Sequence, residues 1–297
     1  LAVEIHPDRA ALGRAAGQAV AAHLRALLAK QGGARVIFAC APSQDEFLAA
    51  LIAASRSAEL GFDWSRVTAF HMDDYVGFAA DHPQSFRRYL RAHLLDHVAV
   101  GAFHPLPAER PPAEACAAYA ALLAAAPIDL ISLGIGENGH IAFNDPPVAN
   151  FEDPHLIKIV ELDHACRQQQ VNDGCFPNLD AVPRHAFSLT VSIFRRAGRL
   201  SIHVPGPRKA AAVQATIEAE ARDRAEMLAH GVAGNLLAES GIMPTISVEI
   251  GPGQKIVADF IAEHAEVTAL VLGAAKGAAP GPLVTHFSAC AGSLPCP

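Results

Sequence analysis

The chain lacks any run of lysine or arginine, and charged residues make up only 18% of it. Its 30 acidic residues outnumber its 23 basic ones, which gives a formal net charge of −7. A nucleic-acid backbone would therefore meet a mostly repulsive surface, and nucleic acid is not expected as a partner. A small phosphorylated molecule is compatible with this charge, because one anion needs only local donors and one or two cations.

The sequence also lacks the cysteine patterns of a structural metal site. Its six cysteines include no CxxC pair and no zinc-like spacing with histidine, so buried thiols and no bound metal are expected. The first residues do not resemble a signal peptide, and no apolar stretch is long and charge-free enough to span a bilayer. We therefore expect no membrane partner and a cytoplasmic setting.

Apolar residues are abundant, at 51% of the 297 residues. This is enough hydrocarbon to offset the chain entropy that folding removes. The length fits either one large α/β domain or one domain with a smaller unit attached.

Helical and strand-like patterns alternate through most of the sequence. Strands are expected at residues 35–39, 67–71, 129–134, 156–162, 186–191 and 200–204. Helices are expected at residues 8–31, 45–60, 85–95, 113–125 and 209–220. Because strands separated by helices pair through crossovers, the predicted fold class is α/β, a doubly wound and mostly parallel sheet with helices on both faces.

Three loops that follow predicted strands carry the polar residues of interest, at residues 41–45, 72–78 and 136–147. Ligands of open parallel sheets bind where strands end, since loop amides and helix N-termini point into that crevice. The sequence therefore predicts one site built from these loops.

The third loop combines glycines with a titratable ring and a carboxylate. Histidine is the residue type whose unperturbed proton equilibrium lies near neutrality, and Asp145, five residues after His140, could orient its ring and stabilise the protonated form. The alternative is a structural histidine, which is the more common role for a histidine in a turn.

The second loop begins with two adjacent carboxylates, Asp73 and Asp74, directly after a strand. One of them could remove a proton beside a carbonyl, and partial burial would raise its pKa toward neutrality. The alternative is that both merely cap the next turn.

Together, these segments resemble the signatures of the glucosamine-6-phosphate deaminase/isomerase family. Residues 71–78, HMDDYVGF, are similar to the family's NMDEYVGL, and residues 134–146 are similar to its GxGxxGHIAFNEP. Between them, residues 81–86 resemble a DHPxSY stretch, and the likeness extends from about residue 8 to 218. The resemblance implies ring opening of an amino-sugar phosphate, proton transfer between C2 and C1, and loss of the amine as ammonia.

The resemblance also implies the role of each residue. Asp73 would shuttle the proton, and His140 would open the ring, with Asn138 and Asp145 holding its tautomer and orientation. Neither a metal nor a redox cofactor would be needed, because the substrate's own carbonyl is the electron sink. The family often has aspartate at the position of Asn138 and glutamate at that of Asp145.

Substrate contacts implied by the same matches fall on several loops, namely on Ser43, Gln44, Asp74, Gly136, Gly139, Arg167 and Lys209. Lys209 resembles the family's phosphate-contacting lysine. The amides of Ser43 and Gln44 could face the phosphate from a helix start. Alternatively, Ser43 and Glu46 form a capping box that satisfies those amides internally. Arg167 could equally be a solvated surface arginine.

The family likeness ends near residue 218, which predicts a deaminase-like domain at 1–218 and a separate α/β tail at 219–297. The tail resembles a C-terminal fragment of a universal stress protein, especially at residues 262–273 and 291–297. It could bind a nucleotide, be a fused unit, or mediate association into a homo-oligomer.

Two other functions remain open. A 6-phosphogluconolactonase shares the fold, but the lactonase motif GHTASLFP differs from the sequence of residues 139–145. A non-catalytic sugar-phosphate-binding or stress-related module would fit the altered phosphate loop and the unusual tail.

Overall fold

The computed structural model describes residues 2–219. The chain divides into two compact units, Leu1–Gln214 and Ala215–Pro297, and the fold below is that of the first. The elements and nucleotide site predicted beyond residue 219 lie outside the described residues. The division into domains at 218 and 219 therefore stays a prediction.

Strands and helices alternate as the sequence predicts. The described strands are β1 Ala34–Phe38, β2 Val67–His71, β3 Asp73–Tyr75, β4 Ala102–His104, β5 Leu130–Leu133, β6 Ile157–Glu161, β7 His185–Leu189 and β8 Leu200–Ile202. The α-helices are α1 Arg9–Leu28, α2 Asp45–Ser55, α3 Phe86–Leu90, α4 Pro112–Ala124, α5 His164–Asn172 and α6 Val191–Arg196. A π-helical turn, Arg91–Leu95, extends α3, and a further helix begins at residue 210. No helix in the described part of the chain is long and apolar enough to cross a membrane.

The main sheet is parallel and has the strand order β4-β2-β1-β5-β8. Its central strand β1 alternates side chains between two layers, so Val36 and Phe38 face one layer and Ile37 the other. The first layer contains α1 and α2, and the second contains α4 and α6. This confirms the predicted α/β fold class with helices on both faces.

A second, smaller sheet has the order β3-β7-β6 and is antiparallel. The strands predicted at 156–162 and 186–191 belong here, so their expected parallel pairing is corrected. Residues 73–75, expected in a loop, form β3 because Asp73 to Tyr75 pair with Ser188 to Ala186 of β7. The smaller sheet thus places the start of β3 beside the carboxyl end of β2.

Candidate active site

A cleft of about 650 Å³, including its open mouth, lies where β1, β2 and β5 end. The register places the ends of these strands side by side, since Phe38 pairs with both His71 and Ser132. Residues 39–43, 72–73, 134–136, 140 and 142–143 line the cleft, together with side chains from α5 and from the Pro207–Lys209 turn. The three loops expected to form one site therefore meet.

Asp73 is the first residue of β3 and reaches the cleft from the side of the small sheet. It is only 6% exposed, and its buried Oδ1 has no hydrogen-bond partner. Burial, reinforced by the charge of Asp74, raises the pKa of the Asp73 carboxyl well above its ordinary value. An unpartnered carboxylate of raised pKa is suited to accept a proton from a bound molecule.

His71 holds the main chain of Asp73 in place. The backbone N–H of Leu106 donates to His71 Nε2 at 2.8 Å, so the proton of the ring is on Nδ1. Nδ1 then donates to the backbone carbonyl of Asp73 at 2.9 Å. Burial lowers the pKa of His71 to about 4, so the ring is neutral near pH 7. The sequence alone gives no role for His71, although it lies two residues before Asp73.

His140 faces the same cleft as Asp73. Its Nδ1 lies 2.7 Å from Asn138 Oδ1 and 3.2 Å from Asp145 Oδ1. Both neighbours are acceptors, so Nδ1 carries the proton and Nε2 keeps a free lone pair. The ring can therefore accept a proton through Nε2.

Asn138 and Asp145 do not line the cleft but orient the ring of His140. Asn138 Nδ2 donates to Asp145 Oδ1 at 2.9 Å, which closes a three-membered network around Nδ1. Burial opposes ionisation of Asp145, but hydrogen bonds from His140 and Asn138 hold its pKa below the ordinary value. The shorter aspartate thus reaches the ring and stays ionised.

Two glycines place His140. A β-carbon on Gly136 would lie within 2.5 Å of three atoms of the His140 ring, so only glycine allows the ring to pack there. Gly139 has φ 87°, a left-handed conformation that favours glycine in the turn before His140. Gly136 lines the cleft and Gly139 does not, and the predicted substrate contact of Gly139 stays a prediction.

Strand β7 anchors both halves of the site. On one side it pairs with β3, which carries Asp73. On the other, Ser188 Oγ accepts from the backbone N–H of Phe143 at 3.1 Å, and the Leu189 carbonyl accepts from Asn144 Nδ2 at 2.7 Å. The loop that bears His140 is therefore tied to the strand that pairs with β3.

Lys209 and Ser43 also line the cleft. Lys209 is 8% exposed and forms no ion pair with any described residue, while burial lowers the pKa of its amine. Ser43 Oγ accepts from Gln44 Nε2 at 3.2 Å, which leaves its hydroxyl proton available. A cation without a partner beside a hydroxyl donor is suited to bind an anion.

Gln44 is predicted to contact the substrate, but it does not line the cleft. It is fully buried, its backbone amide donates to the Ala41 carbonyl at 2.8 Å, and its Oε1 lies 3.1 Å from His203 Nδ1. The alternative capping box is wrong as well, because Gln44 rather than Ser43 caps α2 and Glu46 binds Arg9 at 2.7 Å.

Asp74 and Arg167 also lie away from the cleft lining. The buried carboxylate of Asp74 binds Arg87 Nε at 2.7 Å and accepts from the backbone of Tyr75 and Phe86, so it fastens β3 to α3. Arg167 donates to the carbonyls of Leu179 and Val182 and holds that loop instead. Their predicted substrate contacts stay predictions.

One cluster of potential metal ligands occurs among residues 2–219. It consists of His140, Asp145 and Cys166, whose ligand atoms all lie within 4.8 Å of one another. The spacing of these residues in the sequence shows no metal motif, because Cys166 comes from α5 and reaches the other two only in the fold.

Comparisons with known proteins identify the family that the chain resembles. The model of the family described as glucosamine-6-phosphate isomerases/6-phosphogluconolactonase matches residues 7–237. A glucosamine-6-phosphate deaminase from Exiguobacterium sp. is 36% identical over 157 residues, which is 52% of this chain and 60% of that protein. One from Bacillus cytotoxicus is 32% identical over 159 residues, 53% of this chain and 59% of that protein. The chain thus spans about 60% of the length of these relatives.

Solved structures share the fold. A monomeric glucosamine-6-phosphate deaminase matches with a TM-score of 0.65 and 23% identity, over 73% of this chain and 88% of that one. A 6-phosphogluconolactonase from Leishmania guyanensis matches with a TM-score of 0.57 and 15% identity, over 71% of this chain and 84% of that one. At these identities the likeness extends to the architecture alone.

Proposed function

We propose that this chain, which belongs to the glucosamine-6-phosphate isomerase and 6-phosphogluconolactonase family, converts glucosamine 6-phosphate to fructose 6-phosphate and ammonia. One observation carries the proposal: Asp73 and His140 face one cleft, each with a free proton-accepting atom. The deaminases at 32–36% identity support the choice of substrate. The alternative of a structural histidine does not account for the free Nε2 on a cleft.

The chemistry begins at His140. Its Nε2 accepts the proton of the C1 hydroxyl as the sugar ring opens and returns a proton to the ring oxygen. The imidazolium that forms in between is stabilised by the ionised Asp145, through the same Nδ1–H that fixes the neutral tautomer. Asn138 holds Asp145 in register for this role.

Asp73 then moves the proton along the carbon chain. Its carboxylate removes the proton from C2 to give an enolamine and delivers it to C1, so no net proton is consumed in the isomerisation. The raised pKa of Asp73 brings its basicity closer to that of the carbon acid. Water adds to the resulting imine at C2 and releases ammonia.

The substrate's phosphate binds beside Lys209 and Ser43. The Lys209 amine supplies a positive charge, and the Ser43 hydroxyl a further donor. Asp173, which also lines the cleft, is paired with Arg208.

The direct test is to incubate the protein with glucosamine 6-phosphate and measure ammonia and fructose 6-phosphate in equal amounts. Asp73→Asn should lower kcat by at least about 1000-fold, with KM little changed, because an amide cannot accept the C2 proton. Asp96→Asn is a matched control, since Asp96 is exposed and distant from the cleft lining.

Absence of both products would contradict the proposal. Hydrolysis of 6-phosphogluconolactone, assayed in parallel, would favour a lactonase instead. Thermal stabilisation by glucosamine 6-phosphate without turnover would favour a non-catalytic binding module.

The pathway and the cellular compartment are proposed as well. We assign the reaction to amino-sugar breakdown in the cytoplasm, a choice supported by the four unpaired thiols of Cys40, Cys116, Cys166 and Cys175. Association into a homo-oligomer stays a prediction of the sequence. Cell fractionation with an antibody to the protein would test the compartment.

A further inference from the structure

We propose that His140, Asp145 and Cys166 form a binding site for a zinc-type divalent cation, and that the bound cation inhibits the enzyme. The inhibition rests on the function proposed above, but the binding does not. Imidazole, carboxylate and thiolate are the three ligand types that zinc uses in proteins.

The positions of the three groups suit a small cation. His140 Nδ1 and Asp145 Oδ1 are already 3.2 Å apart, close to the roughly 3.4 Å that tetrahedral zinc imposes on neighbouring nitrogen and oxygen ligands. All potential ligand atoms lie within 4.8 Å, so the thiol needs an inward shift of about 1 Å to complete the set. The fourth coordination position is left for a water molecule.

An unused buried atom points to the same place. Asp145 is 1% exposed, and its Oδ2 has no hydrogen-bond partner among the described residues. An unpaired buried carboxylate oxygen carries a desolvation cost that a cation removes. The cleft supplies the route of entry, because His140 lines it.

Charge also balances at this site. The Asp145 carboxylate and the Cys166 thiolate together neutralise a dication, while His140 binds as the neutral ring. Burial raises the pKa of the Cys166 thiol, and a coordinated cation offsets this by binding the thiolate directly. Binding therefore releases the thiol proton to solvent, so affinity should increase with pH.

The cation would act on the catalytic ring itself. Coordination at His140 Nδ1 displaces the hydrogen bonds to Asn138 and Asp145, and the ring's one remaining proton moves to Nε2. Nε2 then has no free lone pair, so His140 cannot accept the C1 hydroxyl proton. Asp145 is likewise withdrawn from the imidazolium that it would stabilise.

The test uses the full chain, freed of metal with a chelator. Cd²⁺ is titrated first, because a cadmium–thiolate bond adds an ultraviolet charge-transfer band that is independent of activity. We expect the parent protein to show this band and Zn²⁺ to compete it away. Cys166→Ser should lose the band and bind Cd²⁺ at least about 100-fold more weakly, since a direct ligand should matter at least as much as groups that only orient one. Cys116→Ser, a half-buried thiol on α4 outside the cluster, should keep both.

Activity gives the second readout. Zn²⁺ should inhibit the parent reversibly, and the concentration for half inhibition should rise at least about tenfold in Cys166→Ser, whose kcat without metal should stay at the parent value. If serine prevents folding, Cys166→Ala serves instead, with thermal unfolding confirming a folded variant.

A cadmium band or zinc inhibition that persists unchanged in the folded Cys166 variants would overturn the site. If the parent shows no deaminase activity but a Cys166-dependent band, the site stands while the proposed function fails. Binding without inhibition would overturn the regulatory part alone.

Discussion

The space that Gly136 leaves for the His140 ring gives a sharp prediction. A β-carbon at position 136 would lie within 2.5 Å of three ring atoms, whereas ordinary carbon contacts begin near 3.4 Å. The ring in Gly136→Ala must therefore move by about 1 Å, or the backbone must shift by as much. A misplacement of about 1 Å in a catalytic group costs roughly 100-fold in rate. That factor corresponds to about 2.7 kcal/mol of transition-state stabilisation.

A matched control lies two residues earlier. A β-carbon on Gly134 would approach no atom closer than 3.4 Å, which is an ordinary contact. We therefore expect Gly136→Ala to lower kcat about 100-fold and Gly134→Ala to lower it less than about threefold. The assay is steady-state release of fructose 6-phosphate over a range of glucosamine 6-phosphate concentrations.

A folded Gly136→Ala variant with kcat within threefold of the parent would refute this reasoning. A readout that needs no turnover is the nitrogen NMR spectrum of the His140 ring. The parent should show the Nδ1–H tautomer, and Gly136→Ala should change its ring signals while Gly134→Ala leaves them in place.

Three further perturbations test the electrostatics of the site. Because the pKa of Asp73 is raised in the folded state, its protonated form is favoured there, and its contribution to stability falls as pH rises from 3.8 through the raised value. Asp73→Asn should therefore increase the free energy of unfolding, measured in urea, by about 1–3 kcal/mol at pH 7. This gain should vanish near pH 4. An equal gain at both pH values would refute the raised pKa of Asp73. Arg87→Met leaves the buried Asp74 carboxylate unpaired and should destabilise the fold by about 3–5 kcal/mol, partly restored by adding Asp74→Asn. No recovery in that double variant would mean the loss is not electrostatic. Lys209→Met should raise KM about 10–100-fold for the phosphorylated sugar with a much smaller change in kcat, and an unaltered KM would exclude Lys209 from phosphate binding.

Sequence patterns predicted the parts of the fold that depend on local periodicity. The strand at 67–71 is confirmed residue for residue, because four apolar or β-branched residues and His71 precede Met72 and the two carboxylates. The helix expected at 45–60 ends at Ser55, whose hydroxyl accepts from Trp64 Nε1 at 2.8 Å. That contact joins distant residues, so no local pattern reports it.

The site, too, has features that sequence patterns predict and features that depend on contacts made only in the fold. The rule that parallel strands end at one edge of a sheet predicts that Asp73 and His140 face one cleft. The separation of Asp73 from Asp74 follows from the alternation of side chains along a strand, but the ion pair of Asp74 with Arg87 does not follow from the local sequence. Cys166 was classed as a buried thiol because its two neighbours come from another loop. Pairings between loops of this kind are set by tertiary packing.

The double attachment of β7 has a mechanical consequence. A sliding or tilting of this strand relative to the parallel sheet carries Asp73 through β3 and drags the His140 loop through Ser188 and Leu189. We therefore expect Asp73 and His140 to move together, so that the distance between them changes little during thermal motion. Lys209 lies in a turn outside this linkage. We therefore expect opening and closing of the cleft to shift the proposed phosphate contact of Lys209 before it changes the distance between Asp73 and His140.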